Sequence, residues 1–120
     1  GGYFYRPTVL TGVEPEMSVA REEIFGPVIS VIAYDTFDRA IAILNGVEYG
    51  LTSALFSNDN RLIQRFIDES ENGMLHINHG TASDENMPFG GIKNSGVGAY
   101  SVGSSAVTFY TTAHSVYLKS

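Results

Sequence analysis

The sequence has no cysteine and no tryptophan, and only 4 of its 120 residues are proline. Without cysteine the chain supplies no disulfide, no thiolate metal ligand and no thiol nucleophile. Cationic side chains are scarce: 7 Lys and Arg stand against 13 Asp and Glu, a formal net charge of -6. Such a chain lacks the basic patch that nucleic acid or an anionic membrane surface requires, so neither is expected as a partner. Long apolar runs are missing too. The longest, residues 28–34, is far too short to span a bilayer, and no stretch reads as a signal peptide or lipid-attachment motif. A cytoplasmic setting fits these absences. What remains is a 43% hydrophobic chain of 120 residues, enough for a core and for one domain at most.

The chain is organised around Glu22-Glu23-Ile24-Phe25-Gly26-Pro27-Val28, where two carboxylates, an aromatic ring and a stiff corner precede an apolar run. Pro27 fixes its own φ and biases Gly26 away from the helical region, so a helical turn carrying Glu23 must stop. A carboxylate held this way can accept two hydrogen bonds from a vicinal diol, and a ring beside it can lie against a planar cofactor. The ordinary alternative is a solvated acidic helix end followed by a core Phe, and on chemistry alone that alternative weighs more.

In chain order, residues 3–10 are aromatic and β-branched and predict a short strand, confined to an edge by Pro7. A turn over 12–16 leads to a short helix over 17–23, with its acidic pair at the end the helix dipole disfavours. Residues 28–34 predict a strand buried on both faces. Asp35-Thr36 then offers a cap for a helix whose face is Phe37, Ala40, Ile41 and Leu44, stopped at Asn45-Gly46. A strand over 51–57, a helix capped by Asn58-Asp59 with Leu62, Ile63, Phe66 and Ile67 inward, and a strand over 74–78 come next. This alternation predicts an α/β fold with a right-handed parallel β-α-β-α-β unit, which wants more protein around it to cover both sheet faces. Residues 79–105 lose all periodicity, and a loop of that length is usually functional or disordered. Residues 106–112 and 115–118 read as β again, an unpaired edge asking for a partner.

Three strings carry a resemblance. Gly2-Tyr3-Phe4-Tyr5-Arg6-Pro7-Thr8-Val9, Glu22-Glu23-Ile24-Phe25-Gly26-Pro27-Val28 and Pro88-Phe89-Gly90-Gly91-Ile92-Lys93-Asn94-Ser95-Gly96 occur in an order and spacing similar to the NAD(P)-dependent aldehyde dehydrogenase family. The likeness covers essentially the whole chain but only the C-terminal part of a much longer family member. It implies that residues 1–105 are the C-terminal part of the catalytic domain, a fragment opening at Gly1-Gly2-Tyr3, and that 106–120 form a terminal β segment for oligomerisation into a dimer or tetramer.

The resemblance also implies roles. Glu23 would bind the nicotinamide-side ribose hydroxyls of NAD or NADP, held only in the complete enzyme, and Phe25 would pack beside the nicotinamide ring. Asn78, His79 and Phe89 would line the aldehyde tunnel, with the Gly90-Gly91 backbone approaching closely. The His79-Gly80-Thr81…Asp84-Glu85 wording is similar to members acting on aromatic aldehydes of the benzaldehyde or vanillin type. The family's nucleophile is a cysteine that attacks the aldehyde to give a thiohemiacetal. That group, the activating glutamate and the oxyanion donors would all come from the remaining part of the enzyme, so no catalytic residue and no activity are expected of this chain alone. Ala99-Tyr100 departs from the Arg-Glu usual after the family's Ser-Gly-x-Gly.

Other patterns carry less. Gly96-Val97-Gly98-Ala99-Tyr100-Ser101 fails the dinucleotide fingerprint at its last position, and Gly91-Ile92-Lys93-Asn94-Ser95-Gly96 is not a phosphate loop. Asp84-Glu85 reads as a solvated pair. His76 and His79, three apart on a strand end, are expected on opposite faces, and no metal site is expected. An alternative from another class is a non-catalytic interaction or assembly module derived from the same family.

Overall fold

The computed structural model describes residues 2–119; Gly1 and Ser120, the outer ends of the two expected segments, lie outside the described residues. The elements run β1 (Thr8–Leu10), α1 (Ser18–Arg21), β2 (Val28–Ser30), α2 (Phe37–Asn45), β3 (Tyr49–Gly50), β4 (Thr52–Leu55), α3 (Asn60–Glu69), β5 (Met74–Ile77), β6 (Ile92–Lys93) and α4 (Ala106–Tyr110), the last preceded by a 3-10 turn over Gly103–Ser105. The chain is α/β, as expected, with parallel pairs β1–β2 and β4–β5.

The pairing differs from one three-stranded unit. β2 does not join β4; it pairs with β1, Thr8 opposite Val28. The ladder is opened by the Thr8 amide donating to the Pro27 carbonyl (2.8 Å) and closed by the Val31 amide donating to Leu10 (2.8 Å). Both expected strands are therefore cut to three residues each. Pro7 has no N–H to extend the ladder backwards. Burial on both faces is not seen either, since Ile29 is 63% exposed while its neighbours Val28 and Ser30 are half-buried. The second pair is a full β-α-β unit, β4-α3-β5, in register from Thr52 opposite Met74 to Leu55 opposite Ile77.

The helices form where period and caps agree. Thr36 caps α2 by accepting from the Arg39 amide (3.2 Å), and Asp59 caps α3 by accepting from the Arg61 amide (2.8 Å). Ile41 and Phe66 are buried from these faces, Phe66 to 3%, whereas Ile67 stays exposed. Arg65 ties the two helices: it donates to Glu69 and to Asp38 (2.6 and 2.7 Å) and lies over the Phe37 ring at 5.1 Å. Those two bonds, Glu69 first, hold the guanidinium above its ordinary range and charged at every relevant pH.

Two further expectations change. α1 ends at Arg21, so its last turn carries a cation, in keeping with the dipole; Glu22 is only its C-cap and Glu23 lies beyond it. Residues 106–110 are helical, not a strand. Among the described residues no strand pairs with them, and local bonds prevail, including one from the Thr111 hydroxyl to the Val107 carbonyl (2.5 Å). Residues 115–119 form no strand.

Residues 89–95, which include β6, lie against β3 antiparallel, Tyr49 opposite Lys93. The approach is close: a Cβ on Gly73 would overlap the Gly90 carbonyl, and one on Gly90 would overlap the Tyr100 ring. The Gly90-Gly91 backbone thus packs closely against its own chain. Gly73→Ala should cost at least about 1–3 kcal/mol by overpacking. Gly80→Ala, with nothing within 4 Å of the added carbon, should stay within about 0.5 kcal/mol. Denaturant midpoints of the two variants check this; equal midpoints would contradict the packing.

Candidate functional site

Two crevices hold most of the residues singled out by the sequence. The first, about 560 Å³, is lined by Glu22 and Glu23 with Arg21, Glu48 and Tyr49. It adjoins a groove of about 360 Å³ where Glu23 shares the wall with Thr52, Asn72 and Ser95. The Glu23 carboxylate makes no ion pair among the described residues and is exposed. Two residues of the groove carry buried polar atoms without a partner, Thr52 Oγ1 and Asn72 Nδ2. The exposed carboxylate is a free acceptor suited to sugar hydroxyls, whereas those two atoms are closed off from the groove itself.

Phe25 does not line either crevice. Its ring is 93% exposed, so it is not packed into the core formed by this chain, and its φ of 54° is left-handed. A bulky residue at positive φ is a true outlier costing about 1–3 kcal/mol, and such strain persists where neighbouring structure imposes it. Here the Gly26-Pro27 corner, tied into the ladder through the Pro27 carbonyl, anchors the chain on the C-terminal side of Phe25.

The second crevice, about 520 Å³, brings His79 and Phe89 together with His76, Met87 and Tyr100. Asn78 is not part of its wall. Its side chain closes on Ser57 instead, accepting from the Ser57 amide (2.9 Å) and donating to the Ser57 carbonyl (3.0 Å). Asn78 sits at φ 58°, tolerable for Asn, and this turn ends the strand geometry. The opposite-face expectation for the histidines fails for that reason. The chain swings round so that His76 Nδ1 and His79 Nε2 lie 3.4 Å apart, the rings edge-on. His76 is 8% exposed and its Nε2 is buried without a partner. Asp84, at the mouth, accepts from the Asn86 amide (2.8 Å) and so shapes its own turn. No group of three or more metal-ligating side chains forms among the described residues.

The sequence did not signal Tyr49, which no period or motif includes; Tyr100 stood out only as a departure from the family's Arg-Glu, with nothing to place it in the histidine crevice. Ser95 lay inside a quoted motif, but nothing marked it as reaching the Glu23 groove.

The family model for the aldehyde dehydrogenase family matches residues 1–116. The chain belongs to the aldehyde dehydrogenase family. Over 118 residues it is 41% identical to an α-ketoglutarate semialdehyde dehydrogenase of Haloferax volcanii, covering 97% of this chain and 24% of that protein. Its fold matches the structure of a lactaldehyde dehydrogenase with a TM-score of 0.93 at 35% identity, over 99% of this chain and 25% of the other. It also matches betaine aldehyde dehydrogenase from Staphylococcus aureus in complex with NAD+, with a TM-score of 0.83 at 36% identity, over 89% of this chain and 21% of the other. The chain therefore spans about a quarter of the length of these relatives. None of these three names an aromatic aldehyde of the vanillin type.

Asn78 provides a test of the turn at the second crevice. Asn78→Ala and Asn78→Gly both lose the Ser57 bonds, but only Ala also bears the cost of positive φ. Thermal or denaturant unfolding should find the Gly variant more stable by about 1 kcal/mol; the reverse order would show that the left-handed turn is not needed.

Proposed function

We propose that this chain is the C-terminal part of the catalytic domain of an enzyme that oxidises an aldehyde to a carboxylic acid with NAD or NADP. One observation carries the reading: the Glu23 carboxylate is exposed, free of ion pairs among the described residues, and lines an open groove. In this reading Glu23 accepts hydrogen bonds from the nicotinamide-side ribose, and the exposed Phe25 ring lies beside the nicotinamide. The bound dinucleotide would supply the hydride acceptor. His79 and Phe89 wall the aldehyde path, while Asn78 holds its rim in place through Ser57. The nucleophilic cysteine and the rest of the dinucleotide site would come from the remaining part of the enzyme.

The packing supports a need for more protein. Val13, Ile41 and Phe66 are the buried apolar core among the described residues, and the radius of gyration is 19.0 Å, against roughly 14 Å for a compact chain of this length. The assembly-module alternative rested on a terminal strand edge; with residues 106–110 helical it loses that support. The exposed Val116, Tyr117 and Leu118 fit burial against a second subunit of a dimer or tetramer. The proposed setting is cytoplasmic, with no nucleic-acid or membrane partner.

In the enzyme carrying this segment, Glu23→Gln should raise the KM for the dinucleotide about tenfold or more, the loss of a charge-assisted hydrogen bond, and leave the aldehyde KM in place. Steady-state kinetics with each substrate varied in turn checks this, and an unchanged cofactor KM would remove the ribose role. The purified 120-residue chain should reduce no NAD with any aldehyde, because it has no thiol; measurable NADH formation would overturn the proposed division of labour.

A further inference from the structure

The two crevices are joined by one short piece of chain. Phe89 stands in the wall of the histidine crevice and Ser95 in the wall of the Glu23 groove. Gly73 and Asn72, adjacent in sequence, line the same two spaces on the other side. Whatever fixes residues 89–95 therefore sets a wall of both.

Lys93 is the centre of that fixing. Its ammonium donates to the Asn45 carbonyl (2.8 Å) and the Val47 carbonyl (3.2 Å) and pairs with Glu71 Oε2 (2.6 Å). An ammonium has three protons, so all are engaged. The side chain is only 24% exposed, and the backbone is held at φ 52°. Non-glycine residues enter that region at a cost, so the position is imposed by its surroundings.

The groups that Lys93 grips matter. Asn45 ends α2, and its own side chain holds the end of α3: Nδ2 donates to the Glu69 carbonyl (2.7 Å), and Oδ1 accepts from the Glu71 amide (2.9 Å). Val47 and Leu44 lie in the Glu23 groove wall. Beyond Lys93 the segment is bonded to β3 and the residue before it. The Asn94 amide donates to the Glu48 carbonyl (3.0 Å), and the Gly50 amide donates to Ser95 Oγ (3.0 Å). One charged knot thus gathers the ends of two helices and the segment shared by the crevices.

We propose that Lys93 is a positioning residue for both half-sites: its ammonium holds residues 89–95 against the ends of α2 and α3, and so sets the Glu23 groove and the Phe89 wall together. The inference rests on the reading of these crevices as cofactor and aldehyde sites. It goes beyond that reading by assigning a joint control to a residue that touches neither.

Lys93→Met tests this in the complete enzyme, since Met keeps the stem and the same backbone cost but has no ammonium. Both KM values, for dinucleotide and for aldehyde, should rise about fivefold or more, with kcat changed less. Lys93→Arg, which keeps charge and donors, should recover part of both. Glu71→Gln, a milder change in the same knot, should move both in the same direction by less, and serves if Lys93→Met does not fold.

Arg65→Met separates positioning from general stability. It breaks a comparable charged link between the same two helices but makes no bond to the 89–95 segment, and should lower Tm while leaving both KM values in place. The proposal is overturned if Lys93→Met, or Glu71→Gln in its stead, moves neither KM or only one. It is also overturned if Arg65→Met reproduces the double rise. Glu23→Gln distinguishes the other failure: a cofactor KM unmoved there defeats the cofactor reading, whatever Lys93 does.

Discussion

The structure depends on how closely the 89–95 segment can lie against β3 and the start of β5. That approach is a backbone-to-backbone contact at Gly73 and Gly90, where side chains would not fit. Close packing of this kind transmits position, because dense protein interiors give way in steps rather than smoothly. The Lys93 ammonium then locks the contact electrostatically, bridging two carbonyls and a carboxylate that would otherwise need water. The two crevices form on either side of this contact.

The site shows two kinds of holding. Phe25, Asn78 and Lys93 are the described non-glycine residues with positive φ, and each stands at or beside a crevice or its supporting knot. Asn78 and Lys93 owe this to visible bonds, to Ser57 and to the helix ends. Phe25 owes it to the Gly26-Pro27 corner, and its ring is left free. Strain of this sort is tolerated where surrounding bonds outweigh it, and here two of the three cases come with those bonds in place.

Much of the architecture was legible in the sequence because local signals agreed. Thr36 and Asp59 cap the helices they were expected to cap, and Phe66 is buried from the expected face. The parallel partner of β2 was not legible, since strand pairing depends on distant residues, and Pro7 had marked the first segment as an edge without naming its neighbour. Residues 106–110 carry a β-like composition, but propensity without a partner strand does not make a ladder. At the sites, family strings pointed to Glu23 and Phe89. The meeting of His76 with His79 was invisible because it turns on one φ angle at Asn78. Tyr49, the place of Tyr100 in the crevice wall and the contacts of Lys93 emerge only from the fold.

The central claim is that the Glu23 carboxylate serves a sugar diol. A crystal structure of the complete enzyme with bound dinucleotide tests it most directly. The account predicts both Glu23 carboxylate oxygens, or one shared, within hydrogen-bond distance of the nicotinamide-side ribose hydroxyls. A ribose bound elsewhere, with Glu23 facing solvent or paired to a cation of the protein, would contradict it.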